Sequence, residues 1–265
     1  MNRMQRVTVV AAVTLFALTP LLWLARLSIT PEADIHHWPP TLLPAMPTLG
    51  HYADILSATP FWLQLVNSLV VCVASTALAL TLGALGAYGL ARHRFRWRDV
   101  ILTGCLALHL IPGVANMTAI YRVAEGFHLF NSLLFVSLLK AGGVTLAMWI
   151  LVATFRNVPV RLEQAAELDG CSRAQVLWRV TLPLAGPGLL ATGLLLFIQA
   201  WNTFFLPFLL LESPRKMTLT VGVYRYFSEH GFQPGHVAAF MVLSILPVLA
   251  LFLAFRRRLW SRLAL

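Results

Sequence analysis

Lys140, Gln199 and Asn202 are polar side chains that lie within apolar stretches of this 265-residue sequence. A lysine in that setting costs on the order of 2 to 3 kcal/mol unless it faces protein or water. The two amides can donate and accept hydrogen bonds. We therefore expect these groups to line a water-accessible cavity that binds a polar solute. The alternative is that Lys140 bonds helix carbonyls or extends to the membrane surface.

The sequence lacks the residues of an enzyme. ATP hydrolysis requires a lysine in the pattern G-x-x-x-x-G-K-[ST], and neither Lys140 nor Lys216 lies in such a pattern. All ten acidic residues fall outside the apolar runs or at their ends, which argues against a carrier that binds a coupling ion inside the membrane. We predict no catalytic residue, and ATP with its Mg²⁺ is expected on another polypeptide.

Local spacing indicates no metal site. The eight histidines show no H-x-x-x-H pair, and the three cysteines are far apart in the sequence. The chain itself is thus expected to bind no metal and no cofactor.

The composition indicates an integral membrane protein. Hydrophobic residues make up 58% of the chain, charged residues 11%, and the mean hydropathy is +0.76. A single membrane domain over residues 1–265 is predicted, all-α because no alternating barrel pattern occurs. Six runs are long enough to span a bilayer: residues 7–27, 61–90, 100–121, 131–155, 184–211 and 237–255.

The distribution of basic residues predicts the orientation. The net charge is +10, and most of the 20 lysines and arginines fall in alternate connections between the runs. The positive-inside rule then puts both termini and residues 157–183 in the cytosol. The same distribution explains the basic stretch at 92–98 as an inner loop, so no nucleic-acid partner is expected.

Residues 159–183 form a polar island between two apolar runs. Helical spacing predicts a first helix after Pro159, and Gly170 stands where a left-handed residue ends a helix. Ser172 and Gln175 form a capping box that opens a second helix. Two short helices with a sharp bend are typical of a docking surface, so we call residues 159–183 the docking island.

This island resembles the cytoplasmic loop of ABC importer permeases, which carries E-A-A, three residues, Gly, nine residues and then I-x-L-P. Here Gln164 stands in the place of the usual second glutamate. The resemblance implies a type I importer permease fold with six transmembrane helices and cytoplasmic coupling helices. The residues expected to couple to the ATPase are Glu163, Gln164, Ala165, Ala166, Asp169, Gly170, Leu182 and Pro183.

Two further segments resemble the carbohydrate branch of this family, which includes maltose permeases. Trp201 and Asn202 match a W-N pair in its fifth core helix, where the tryptophan could stack on a sugar and the amide could bond hydroxyls. Asn67 with Ser68 resembles a family N-S pair. Core packing of Trp201 and helix association through Asn67 are the alternatives. The substrate path is thus predicted from Asn67, Lys140, Gln199, Trp201 and Asn202.

The resemblance implies a set of partners in the bacterial inner membrane. They are two copies of an ABC ATPase subunit, a second homologous permease, an extracytoplasmic solute-binding protein and the lipid bilayer. A sugar is the expected solute, and glycerol phosphate is the nearest alternative because Lys140 favours an anion. An ion-coupled carrier and a non-transporting scaffold are the other classes considered.

Overall fold

The computed structural model describes residues 2–35, 43–44, 46–58, 60–231 and 233–260. The regular elements of the described chain are all helices, with no strand among these residues. In chain order the helices are α1 (Arg3–Ser28), α2 (Glu32–Ile35), α3 (Gly50–Ala58), α4 (Phe61–Arg92), α5 (Arg98–Leu110), α6 (Met117–Gly126), α7 (Leu133–Lys140), α8 (Val144–Arg156), α9 (Val160–Leu168), α10 (Arg173–Val176), α11 (Leu182–Leu184), α12 (Gly186–Trp201), α13 (Phe205–Leu210), α14 (Leu219–His230) and α15 (Pro234–Trp260).

The chain forms two compact units. The first consists of residues Met1–Gln64 and Leu219–Ala250, and the second of Leu65–Thr218 and Leu251–Leu265. The first unit thus contains α1 to α3 and α14, and the second contains the docking island together with α5 to α13. The prediction of one domain over the whole chain stays a prediction.

Four stretches of helix are long and apolar enough to cross a membrane unbroken. They are Met4–Ser28, Phe61–Arg92, Leu133–Arg156 and Pro234–Arg256. Two bent pairs bring the number of candidate spans to at most six among the described residues. The expected six-span, all-α architecture is therefore confirmed, although two of the spans are broken.

The third run, expected as one helix over 100–121, breaks at Pro112. Helices α5 and α6 meet at 83° across a short 3₁₀ turn, Gly113–Asn116. Proline lacks an N–H and pushes the residue before it out of the helical region, and Ile111 is extended here with ψ 121°. The continuous helix was predicted from the length of the apolar run alone, and that length does not reveal the effect of Pro112.

The fifth run, expected over 184–211, is also interrupted. Helix α12 ends at Trp201, and α13 begins only at Phe205. At its other end, the segment Arg173–Leu184 meets α12 at 77°. The fourth span is continuous but tightens into a 3₁₀ turn over Ala141–Gly143, where two glycines favour irregular backbone.

Helix α4 organises the second unit. Its small residues pack against α8, where Ala84 and Ala87 lie in one core with Leu151 and Phe155. Val66, Val70 and Val73, at helical spacing on the other side, stay about half exposed, as expected for side chains that face lipid. In a membrane, lipid tails are as apolar as the side chains, so burial of apolar surface does not drive helices together. They associate instead through close contact of small residues such as these.

Gly83 lies where α4 packs closely against α8, and we expect Gly83→Ala to destabilise this packing. A Cβ at position 83 would lie 2.6 Å from Cβ of Ala147. Overpacking of this kind costs about 1 to 3 kcal/mol. The control is Gly89→Ala on the same helix, where nothing lies within 4 Å. There the gain in helix propensity is about 1 kcal/mol and should leave stability unchanged or higher.

The measurement is the melting temperature of the purified protein in detergent. A lower value for Gly83→Ala alone is the expected result. Equal values for the two variants would show that α4 and α8 do not meet at position 83.

Candidate functional site

The bend of the docking island is a Schellman motif. Helix α9 ends at Leu168, Asp169 is its C-cap residue, and Gly170 follows with a φ of +86°. The N–H of Gly170 donates to the carbonyl of Glu167 at 3.0 Å, and the N–H of Cys171 donates to that of Ala166 at 3.0 Å. These two bonds satisfy the last carbonyls of the helix. The predicted left-handed glycine is therefore confirmed.

The second helix of the island begins as the sequence indicates. The N–H of Ser172 donates to Gln175 Oε1 at 2.8 Å, and the N–H of Gln175 donates to Ser172 Oγ at 3.4 Å. Helix α10 is then followed by a π-helical turn, Leu177–Thr181. Pro183 lies two residues beyond the end of this turn, and its missing N–H removes one bond from the helical ladder.

A buried ion pair fixes the island to the membrane helices. Arg92, the last residue of α4, donates from Nη2 to Glu163 Oε1 at 2.6 Å and from Nε to Oε2 at 2.9 Å. The two side chains are only 10% and 8% exposed. Arg92 Nη2 also donates to the carbonyl of Val158, and the hydroxyl of Thr181 donates to Glu163 Oε1 at 2.8 Å. One carboxylate thus joins α4, α9 and the π turn.

This geometry changes the role expected for Glu163. The sequence predicted that Glu163 would couple to the ATPase, but its carboxylate faces inward and accepts hydrogen bonds from Arg92, Thr181 and Tyr88. Spacing along the chain could not reveal this, because Arg92 is 71 positions away. Glu163 therefore positions the island and is not part of its exposed face.

The exposed face of the island consists of other predicted residues. Gln164, Ala165, Asp169 and Gly170 are exposed, as is Pro183, whereas Ala166 and Leu182 are half-buried. Leu182 packs against the core of α4 and α8. Leu168 was not singled out from the sequence, yet its side chain is 90% exposed. A large apolar side chain beside small alanines suits contact with another protein.

A cavity of about 330 Å³ lies within the second unit. Lys140 and Gln199 line it, as predicted, together with Ser75, Thr76 and His109. No ion pair involves Lys140 among the described residues. The hydroxyl of Thr76 is buried and has no hydrogen-bond partner in the described part of the chain. The cavity therefore offers donors to a polar occupant.

The other three residues predicted for the substrate path do not line this cavity. Asn67 donates from Nδ2 to the carbonyls of Arg215 at 3.0 Å and Met217 at 2.9 Å, so it ties chain segments together. Trp201 is buried and stacks on Phe197, with ring centroids 5.8 Å apart. Asn202 is exposed at the end of α12. Lys140 was expected to share a cavity with Asn202, but in the structure it shares one with Gln199.

Comparison with known proteins identifies the family. The family model described as "binding-protein-dependent transport system inner membrane component" matches residues 79–264. The chain belongs to this family. It is an ABC importer permease, a multi-pass subunit of the inner membrane that serves transport and is not an enzyme.

Several relatives are similar over nearly their whole length. The sulfoquinovosyl glycerol transport system permease protein SmoH of Agrobacterium fabrum is 34% identical, over 93% of this chain and 87% of its own. The trehalose transport system permease protein SugB of Mycobacterium tuberculosis is 30% identical, over 92% and 89%. A crystal structure of a bacterial ABC transporter involved in the import of the acidic polysaccharide alginate has the same fold, with a TM-score of 0.80 at 24% identity over 97% and 98% of the two chains.

We predict that breaking the Arg92–Glu163 pair from either side releases the docking island. Arg92→Met leaves a buried carboxylate without its cation, and Glu163→Leu leaves a buried guanidinium, each at a cost of about 3 kcal/mol or more. The double variant removes both charges, so it should recover much of the loss. The exposed residues Arg161 and Arg173 provide trypsin sites within the island.

The readout is the rate of trypsin cleavage at these sites in inverted membrane vesicles. Each single variant should be cut at least about tenfold faster than the wild type. The cleavage rate of the double variant should lie between that of the wild type and those of the single variants. Equal rates for all four proteins would contradict an anchoring role. Cleavage in sealed right-side-out vesicles would contradict the cytosolic placement of the island.

Proposed function

We propose that this chain forms, with a second homologous permease, the path by which a sugar-like solute enters the cell. The solute would be delivered by an extracytoplasmic binding protein. Two ATPase subunits, which would bind ATP and Mg²⁺, would dock on the island from the cytosol, the side on which both termini would also lie. The observation that carries this proposal is the bend at Gly170, with φ +86°, in a loop that presents Leu168 and Ala165 to solvent.

The ion pair supplies a route for the movement. A shift of the island would act on Glu163 and hence on Arg92 at the end of α4. The same helix carries Ser75 and Thr76 in the cavity wall, about 24 Å away along the helix axis at 1.5 Å per residue. A helix of this kind transmits displacement as a rigid element. Closure of the ATPases would therefore change access to the cavity.

The chemistry of the cavity supports a hydroxylated solute. Lys140, Gln199 and Thr76 can supply hydrogen-bond donors at one place. Ser75, whose hydroxyl donates to the carbonyl of Cys72, can still accept. Relatives named for trehalose or for trehalose and maltose support a carbohydrate.

An anionic solute such as glycerol phosphate or an acidic sugar is the second candidate. It is favoured by the position of Lys140 in the cavity wall without an ion-pair partner among the described residues. The relative named for sulfoquinovosyl glycerol, a sugar that bears a sulfo group, is compatible with this candidate.

Lys140→Met should separate the two candidates. The change keeps most of the side-chain volume and removes the charge. If the solute is anionic, uptake by the reconstituted complex should fall at least about tenfold, which is the loss of roughly 1.4 kcal/mol of charge-assisted binding. If the solute is a neutral sugar, the effect should be smaller and confined to the concentration at half-maximal uptake.

The matched control is Lys216→Met, which changes the only other lysine of the chain at an exposed position. It should transport as the wild type does. Unchanged rate and selectivity in Lys140→Met would remove the cavity from the substrate path while leaving the family assignment untouched.

Docking is tested by substitutions at Gly170, where the backbone requires a positive φ. Nothing lies within 4 Å of a Cβ at this position, so substitutions differ only in their tolerance of positive φ. Asparagine tolerates this region, whereas a β-branched residue does not. Gly170→Val should therefore misdirect α10 at a cost of about 1 to 2 kcal/mol and impair ATPase binding, while Gly170→Asn should keep it.

The measurement is recovery of the ATPase subunits with the purified permease, together with solute-stimulated ATP hydrolysis. If Gly170→Val binds and couples as Gly170→Asn does, the island is not the docking surface in the form proposed.

A further inference from the structure

A second group of residues with binding chemistry lies in the first unit. Glu32 of α2, His51 of α3 and His236 near the start of α15 each offer one ligand atom, and the three atoms lie within 4.8 Å of one another. Glu32 and His236 are 204 positions apart in the sequence. None of these residues is in the docking island or the cavity, and the transport function assigns them no role.

The hydrogen bonds of the two histidines determine which nitrogens are free. Nε2 of His51 lies 2.8 Å from the carbonyl oxygen of Thr30, and Nε2 of His236 lies 3.1 Å from Oδ2 of Asp54. A carbonyl and a carboxylate can only accept, so each Nε2 must carry the proton. In the neutral rings both Nδ1 atoms are then left with a lone pair.

These two lone pairs point at each other. The Nδ1 atoms of His51 and His236 are 3.1 Å apart, and Oε1 of Glu32 lies 3.3 Å from Nδ1 of His236. Three acceptor atoms at such distances repel unless a proton or a metal cation lies among them. A tetrahedral zinc ion with bonds of 2.0 to 2.1 Å separates its ligand atoms by about 3.3 Å. The separations of 3.1 and 3.3 Å are close to that value, and all three atoms lie within 4.8 Å of one another.

The surroundings hold the three ligands in place. The backbone N–H of Gly235 donates to Glu32 Oε1 at 2.9 Å, which fixes the carboxylate beside the start of α15. A Cβ at position 235 would lie 2.5 Å from Nε2 of His51, so only glycine lets these segments approach. Carbonyl and carboxylate partners on the outer ring nitrogens are the arrangement that orients histidines toward metals.

The charge around the cluster also favours a cation. Two carboxylates border His236: Glu32 Oε1 lies 3.3 Å from its Nδ1, and Asp54 Oδ2 lies 3.1 Å from its Nε2. The side chain of Glu32 is 30% exposed, which leaves an entry path and room for water as a fourth ligand.

We propose that Glu32, His51 and His236 bind a zinc ion that ties α2, α3 and the start of α15 together. Two imidazoles and one carboxylate suit Zn²⁺, whereas Ca²⁺ and Mg²⁺ prefer all-oxygen sites. By the positive-inside assignment, these segments are on the extracytoplasmic side. The proposal does not depend on the transported solute, and its failure would leave the transport assignment unchanged.

The first test measures bound metal in the purified complex. The protein would carry a tag without histidine, be stripped with EDTA, and be equilibrated with micromolar Zn²⁺ without nucleotide. We expect one zinc per permease chain by mass spectrometry, and at least a tenfold weaker affinity in His51→Ala, His236→Ala and Glu32→Gln. The control is His128→Asn, which changes an exposed histidine at φ 53° to a residue that accepts this conformation.

The second test does not rely on variants that could misfold. Co²⁺ in place of Zn²⁺ should give the intense visible absorption of a tetrahedral site, together with a higher melting temperature that EDTA reverses. Mg²⁺ should give neither effect.

Three outcomes would overturn the proposal. They are the absence of stoichiometric zinc, binding that survives His51→Ala and His236→Ala, and an octahedral cobalt spectrum. A melting temperature that rises at low pH without any metal would assign the space between the two rings to a shared proton instead.

Discussion

The Arg92–Glu163 ion pair is the interaction on which the proposed mechanism depends. Charges so far from water are costly to bury, and they persist because the guanidinium and the carboxylate satisfy each other and also bond Val158 and Thr181. The pair joins the last residue of α4 to α9 of the docking island. A force on the island would therefore act on α4 through hydrogen bonds between fixed partners. An apolar contact, in contrast, could slide.

The bilayer explains why polar groups occur where they do in the second unit. Backbone groups in hydrocarbon must be paired within the protein, so breaks in helices occur only where other groups or water can serve them. The 3₁₀ turn at Ala141–Gly143 borders the polar cavity, and Gly142 and Gly143 line it. The irregular backbone and the side chain of Lys140 thus both border the cavity, where water can bond their polar groups.

Local signals in the sequence predicted the docking island almost residue by residue. The left-handed Gly170 and the Ser172 capping box depend only on neighbours within a few positions, and both are present. Apolar runs predicted the membrane helices, but not the bend after Leu110. The burial of Glu163 and the tie made by Asn67 join residues 71 and about 150 positions apart, and no local pattern encodes such contacts.

Gly170 has one further consequence, which concerns handedness. Its backbone adopts a conformation natural to D-amino acids, and a side chain there would project into open space. The strain at this position therefore comes from the backbone conformation and not from crowding around a side chain. An L-residue that tolerates positive φ would preserve the bend while adding bulk to the exposed face. Chirality, and not volume, sets the limit at this point of the surface.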